Sequence, residues 1–381
     1  MDRSGPWLRS AWWDVACLGF CWVPFYVWVV GVLGLGRQAW GLDPLRADLT
    51  SSALALASWV ALGITYVHRH YTLLVVYGDR GVFAERALNF LVAPLLLCAL
   101  ITWAYATNRV WLRFGKVELT SWGVVTVVGI TWNAWHTVSQ RYGLWRAYAG
   151  RLGKGLQRPE HARRDRALLW SFVAATIVLT LTLQAESLDL HPTSRFIGSL
   201  LGPTFRGPST GLWLALAFIP TCAVGANWVR HEFSAPIALA DRLPRLVFLA
   251  SSLMLFAVFA VHGPVVGYLC FGVAHAIEYV AFVHHFSEKK YARGSRSGVA
   301  GSLLKHASVG APLLILGLLG AYWLLEPYRS SGIYRVYYVA TSWAHFLFDG
   351  LIWKIRKPNV AQPLGIERNG LPRDGTRHNA L

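Results

Sequence analysis

Apolar runs of roughly 17–25 residues, the length a helix needs to cross a bilayer, recur along the whole chain. Ten can be drawn, over 11–34, 51–70, 88–107, 120–140, 167–184, 211–229, 244–261, 264–285, 308–325 and 334–354. The second is followed at once by "YTLLVVY" (71–77), which either prolongs the helix or lies at the membrane interface. No internal repeat and no soluble domain interrupts the series. From 358 onward the sequence turns polar, with Pro and Gly, and predicts a disordered cytoplasmic tail over 358–381. The expectation is one all-α transmembrane domain over 1–357.

Composition agrees with that pattern. Of 381 residues 55% are hydrophobic and only 14% charged, with a mean hydropathy of +0.40; a soluble domain carries about a quarter charged residues. The net charge of +17 is gathered in short loops such as "WRAYAGRLGKGLQRPEHARRDR" and "EKKYARGSR". That distribution orients membrane proteins and suits anionic head groups, and no nucleic-acid-binding signature accompanies it. Counting these loops as inside places both termini in the cytoplasm of what reads as a bacterial inner membrane. The N-terminal segment lacks a small-residue cleavage site and reads as a retained first helix. Cys17, Cys21, Cys98, Cys222 and Cys270 all lie in apolar stretches without CxxC spacing, which argues against disulfides and zinc–thiolate sites.

The histidines break the apolar pattern in a regular way. In the predicted topology His68 and His70 close the second span and His136 the fourth. His275, His284 and His285 lie on the eighth span, and His345 on the tenth. All fall in the cytoplasmic halves or ends of even-numbered helices. Carboxylates and amides stand one or two turns away: Glu278 at i+3 from His275, Asp349 at i+4 from His345, Asn133 and Gln140 on either side of His136. An ionisable group in a bilayer costs several kcal/mol unless it faces a partner or cavity, and a divalent cation would satisfy a convergent set together. The expected ligands are His68, His136, His275, Glu278 and His345, then His70, His285 and Asp349. Asn133, Gln140 and Asp79 are expected as their supports. His284 points off the shared face and reads as solvated, as does Glu232, and Asp14 as reaching back to the interface.

The "HRH" at 68–70, "HH" at 284–285, His136 and His345 resemble, at the level of class, the histidine-rich integral-membrane non-haem iron enzymes, among them fatty-acyl desaturases and alkane hydroxylases. The boxes differ in spacing from the HxxxH and HxxHH of the desaturases, and no single family is matched. The resemblance implies one or two non-haem iron ions near the cytoplasmic face, a lipophilic substrate entering from the bilayer, and an electron-donor protein. Zinc, in a hydrolase similar to membrane ceramidases, is the alternative cofactor. A proton-coupled transporter is a third reading, although such carriers favour midplane sites and inverted repeats.

Overall fold

The computed structural model describes residues 5–35, 52–114, 117–153, 156–183, 201–205, 207–292, 299–355 and 357–366. The helices are α1 (Ala11–Gly19) and α2 (Val23–Val32), bent by 45°, α3 (Ser52–Gly78), α4 (Arg80–Glu85), α5 (Ala87–Thr107), α6 (Ser121–Leu152) and α7 (Pro159–Leu183). They continue with α8 (Thr210–Ser234), α9 (Leu239–Tyr291), α10 (Val299–Lys305), α11 (Ala307–Leu325), α12 (Gly332–Ile352) and α13 (Pro358–Ala361). A short antiparallel hairpin, β1 (Val110–Phe114) with β2 (Val117–Thr120), joins α5 to α6; the hydropathy pattern gave no sign of it.

Five helices, α5, α7, α8, α9 and α11, are long and apolar enough to cross a membrane, and the bent α1–α2 pair makes a sixth candidate. The chain is an all-α integral membrane protein. Helices α3, α6 and α12 are of similar length but carry the histidines and their polar neighbours, which lowers their apolarity.

Local chemistry sets the helix limits. Thr120 caps α6 by accepting from the Gly123 N–H at 3.1 Å, and Ser331 caps α12 through Tyr334 at 3.2 Å. Within α9, Gly263 adopts φ 81° and ψ 175°, a conformation in which a Cβ would be strained, and Pro264 supplies no N–H. The two apolar runs expected over 244–261 and 264–285 are thus separate helical arms.

The second arm of α9 packs against both α3 and α6, and α12 packs against the same two. The four helices form a ring in the order α3, α9, α6, α12, backed by α11 and α5. Around α9 a larger core gathers Leu18, Trp22, Phe25, Phe248, Leu255 and Val273. Residues 358–366 join it: Val360, Ala361 and Leu364 are buried there. The part of the expected tail up to 366 is therefore packed, because apolar side chains at 360, 361, 364 and 366 punctuate its polar run. Residues 367–381 lie outside the described set.

On the far side of α9 a buried ionic network ties helices together. Arg245 donates from Nε and Nη2 to the two Glu232 oxygens at 3.0 and 3.1 Å, and from Nη1 to Asp165 Oδ2 at 3.0 Å. Asp165 also accepts from Arg146 at 2.6 Å and from the Trp228 indole at 2.9 Å. Glu232 is thus a buried partner of Arg245 and not a solvated residue.

Candidate metal centre

Each helix of the ring contributes one buried imidazole: His68 from α3, His275 from α9, His136 from α6 and His345 from α12. Neighbouring ring centroids lie 4.8 Å (His68–His275), 4.9 Å (His275–His136), 4.9 Å (His136–His345) and 4.7 Å (His345–His68) apart. The order of the rings repeats the order of the helices. One ligand atom each from His68, His275 and His345 lies within 4.8 Å of the others, and the same holds for His136, His345 and Asp349.

Hydrogen bonding leaves this cluster unsatisfied. Both ring nitrogens of His68 and His275, and Nε2 of His136 and His345, are buried without a partner. Each such group costs about 1–3 kcal/mol, so their concentration at one point needs a reason. A cation at the middle of the ring would take a lone pair from each imidazole. Ligands at about 2.1 Å from one ion lie roughly 3–4 Å apart, inside the 4.8 Å limit within which each group of atoms falls here.

The proton arrangement favours the same use. Asp349 Oδ1 accepts from the Thr72 hydroxyl at 2.9 Å and from the Tyr279 hydroxyl at 2.8 Å. Thr72 Oγ1 also lies 2.6 Å from His345 Nδ1. With its proton given to the carboxylate, Thr72 can only accept from His345. In that arrangement, with the Tyr279 hydroxyl oxygen also 2.6 Å from Thr72 Oγ1, His345 carries its proton on Nδ1 and its Nε2 lone pair faces the centre. Asp349 Oδ2 is left 3.5 Å from His136 Nε2 and 3.7 Å from His345 Nε2, placed as a fifth donor. Trp353 closes this side by donating to the Tyr279 oxygen at 3.1 Å. Thr72→Val, which keeps shape and removes the hydroxyl, is expected to weaken metal binding about 10- to 100-fold with the helical signature retained, as measured by chelator competition. Unaltered affinity would mean that Thr72 does not orient His345.

Four of the expected histidines and Asp349 come together; other candidates do not. Glu278 turns to the opposite side and pairs with Arg141, which also donates to Ser252 and Ser251 at 3.0 and 3.2 Å. At i+3 Glu278 leaves the face of His275, whereas Tyr279 at i+4 stays near it. His70 has both nitrogens engaged, Nδ1 with the Tyr66 carbonyl at 2.7 Å and Nε2 with the Tyr337 hydroxyl at 2.8 Å. His285 lies ten residues beyond His275, about 15 Å along the helix, against Trp13. His284 is buried and bonded to Tyr71 and the Leu304 carbonyl, not solvated. Asp14 is buried too, accepting from the Leu8 and Arg9 N–H groups at 2.6 and 3.0 Å.

The expected supports divide likewise. Gln140 donates to the His275 carbonyl at 3.1 Å and braces α6 against α9 beside the centre. Asn133 donates to Tyr268 at 2.5 Å in a cavity wall. Asp79 is remote. It caps α4 through Gly81 and Val82 and accepts from Lys290 and Tyr291. Burial pushes its carboxyl up, but the bonds from Lys290 and Tyr291 outweigh this and hold it below its ordinary value. The residues missed, Thr72 and Tyr279, stand at i+4 from His68 and His275, the spacing that links His345 to Asp349 and His136 to Gln140. That shared offset was the available signal.

Helix length also shifts the centre's place. Helix α3 runs to Gly78 and α6 to Leu152, so His68 and His136 lie inside their helices and not at the tips. Opposite the Thr72–Asp349–Tyr279 cluster the imidazoles border a cavity of about 660 Å³, whose wall includes His68, His275, His345, Trp122, Trp343 and Phe346. Compared with family models, curated proteins and solved structures, the chain matches none, so its own geometry carries the functional reading.

Proposed function

We propose that this protein is a membrane-embedded non-haem metal oxidoreductase, with iron held by His68, His136, His275, His345 and Asp349. The observation that carries the reading is the ring of buried, unpartnered imidazole nitrogens beside a cavity walled largely by apolar and aromatic side chains. Four imidazoles and a carboxylate exceed the three protein ligands usual for catalytic zinc, and a nitrogen–oxygen set without thiolate suits Fe(II). Bound iron would supply dioxygen activation and electron transfer.

The remaining work falls to the chain. The cavity takes a lipophilic substrate and keeps bulk water from it, while Thr72 and Tyr279 fix the carboxylate and the His345 tautomer. The proposed setting is ten membrane crossings in a bacterial inner membrane. Both termini and the 358–381 segment face the cytoplasm, and an electron-donor protein approaches from that side. The basic loops after the fourth and eighth runs support this orientation.

Elemental analysis of detergent-purified protein tests the proposal. About one iron per chain is the expected result. Zinc at that level turns the reading to a hydrolase, and a chain without metal leaves the proton-coupled carrier.

A further inference from the structure

The same cavity wall holds a cation with three of its five N–H donors unused. Arg69, next to His68 on α3, is 3% exposed. Its Nη1 donates to the Tyr338 carbonyl at 3.0 Å and to the Ser342 hydroxyl at 2.6 Å, and its guanidinium lies 4.1 Å from the Tyr338 ring centroid. Its Nε and Nη2 are buried and have no partner. No carboxylate of the described residues pairs with it. Of the other buried arginines, Arg141 and Arg245 each meet a carboxylate, while Arg242 spends Nε and Nη2 on the Ile237 and Ala235 carbonyls and leaves only Nη1 open.

A lone guanidinium inside a membrane protein is costly, and a buried arginine is ordinarily paired. Arg69 keeps its charge beside the substrate cavity and is clamped by Tyr338 and Ser342 rather than neutralised. Nε and Nη2 form one edge of the planar guanidinium, and their two N–H bonds run parallel, matching the two oxygens of a carboxylate. The position along the bundle is informative too. Ser342 and His345 are i,i+3 on α12, about 4.5 Å apart along its axis, so an anion on Arg69 lies about one helical turn from the imidazole ring.

We propose that the cavity binds an amphiphile with a single carboxylate, such as a long-chain fatty acid, and that Arg69 holds the carboxylate bidentately one turn from the metal centre. This rests on the reading of the cavity as the substrate site, and it sharpens the lipophilic substrate to an anionic one. Of the three arginines in the wall, Arg329 meets Glu326 and only Arg69 has N–H groups both buried and unpartnered, which is why a carboxylate there fits better than a neutral alcohol or ester.

The test is binding of dodecanoate, dodecyl phosphate and dodecanol to the purified full chain in a non-ionic detergent, followed by tryptophan fluorescence, with metal content measured on the same samples. Dodecanoate is expected to bind roughly 10- to 100-fold more tightly than dodecanol, the worth of hydrogen bonds to a charged group. Arg69→Gln should remove that preference while metal content stays at the wild-type level. Arg69→Lys, which keeps the charge and loses the fork, should recover only part of it and guards against a folding defect in the glutamine variant. Equal affinity for acid and alcohol, or a preference that survives Arg69→Gln, overturns the proposal, and so does tighter binding of the phosphate than of the carboxylate. Arg69-dependent dodecanoate binding in a chain that holds no metal would sink the oxidoreductase reading and leave this one standing.

Discussion

His345→Ala is expected to abolish retention of metal through purification while leaving the helical bundle assembled. His345 belongs to both ligand groups of the centre, one with His68 and His275 and the other with His136 and Asp349. It is also the imidazole whose Nδ1 lies 2.6 Å from the Thr72 hydroxyl oxygen. Its loss removes a donor from both groups at once, so the drop in affinity should exceed the roughly 100-fold attached to outer partners. His70→Ala and His285→Ala are the controls, because neither ring reaches the centre, and both should keep full metal content. Glu278→Ala should keep it as well. Equal loss in the His345 and His285 variants would show that binding follows general destabilisation and not the ring.

The same residues show how far the sequence could be read. The four central histidines were legible because nothing in apolar patterning accounts for an imidazole at the same depth of four helices running in one direction. Asp349 was legible from its i,i+4 offset to His345. Glu278 was misassigned because its partner, Arg141, is 137 residues away, and helical spacing on one segment cannot reveal which neighbour a side chain faces. His70 and His285 share the composition of the site but not its direction; His70, two residues from His68, faces another side of α3, His285 lies nearly three turns beyond His275, and they meet hydroxyl, carbonyl or indole groups instead. The break at Gly263 was visible as Gly-Pro between two apolar runs. The extension of α3 through 71–77 was one of two open readings and that of α6 was hidden, because arginines and histidines at a helix surface look like an exit from the membrane until their buried partners are known. Likewise the apolar residues of 358–366 are too few to signal packing without the Gly150 surface they meet: a Cβ at Gly150 would stand 2.8 Å from Ile366.

Arg245→Leu is expected to destabilise the protein by about 3–5 kcal/mol, the cost of stranding buried charges by removing one partner. Asp165 and Glu232 come from α7 and α8, and both depend on the single guanidinium of α9. Arg146 compensates only Asp165, so Glu232 would be left ionised and unpaired in an apolar interior or be forced to take up a proton. The Arg245→Leu/Glu232→Gln variant removes the stranded carboxylate as well, keeps the Asp165–Arg146 pair, and should recover most of the loss, since replacing a buried ion pair by uncharged, well-packed groups is often near neutral. Thermal unfolding in detergent, with metal content followed in parallel, separates the two sites. Arg245 sits on the first arm of α9 and His275 on the second, beyond the Gly263 break, so Arg245→Leu should unfold earlier yet hold metal normally below its transition. An unchanged unfolding temperature in the single variant, or no recovery in the double one, would show that the network does not hold α7 and α8 to α9.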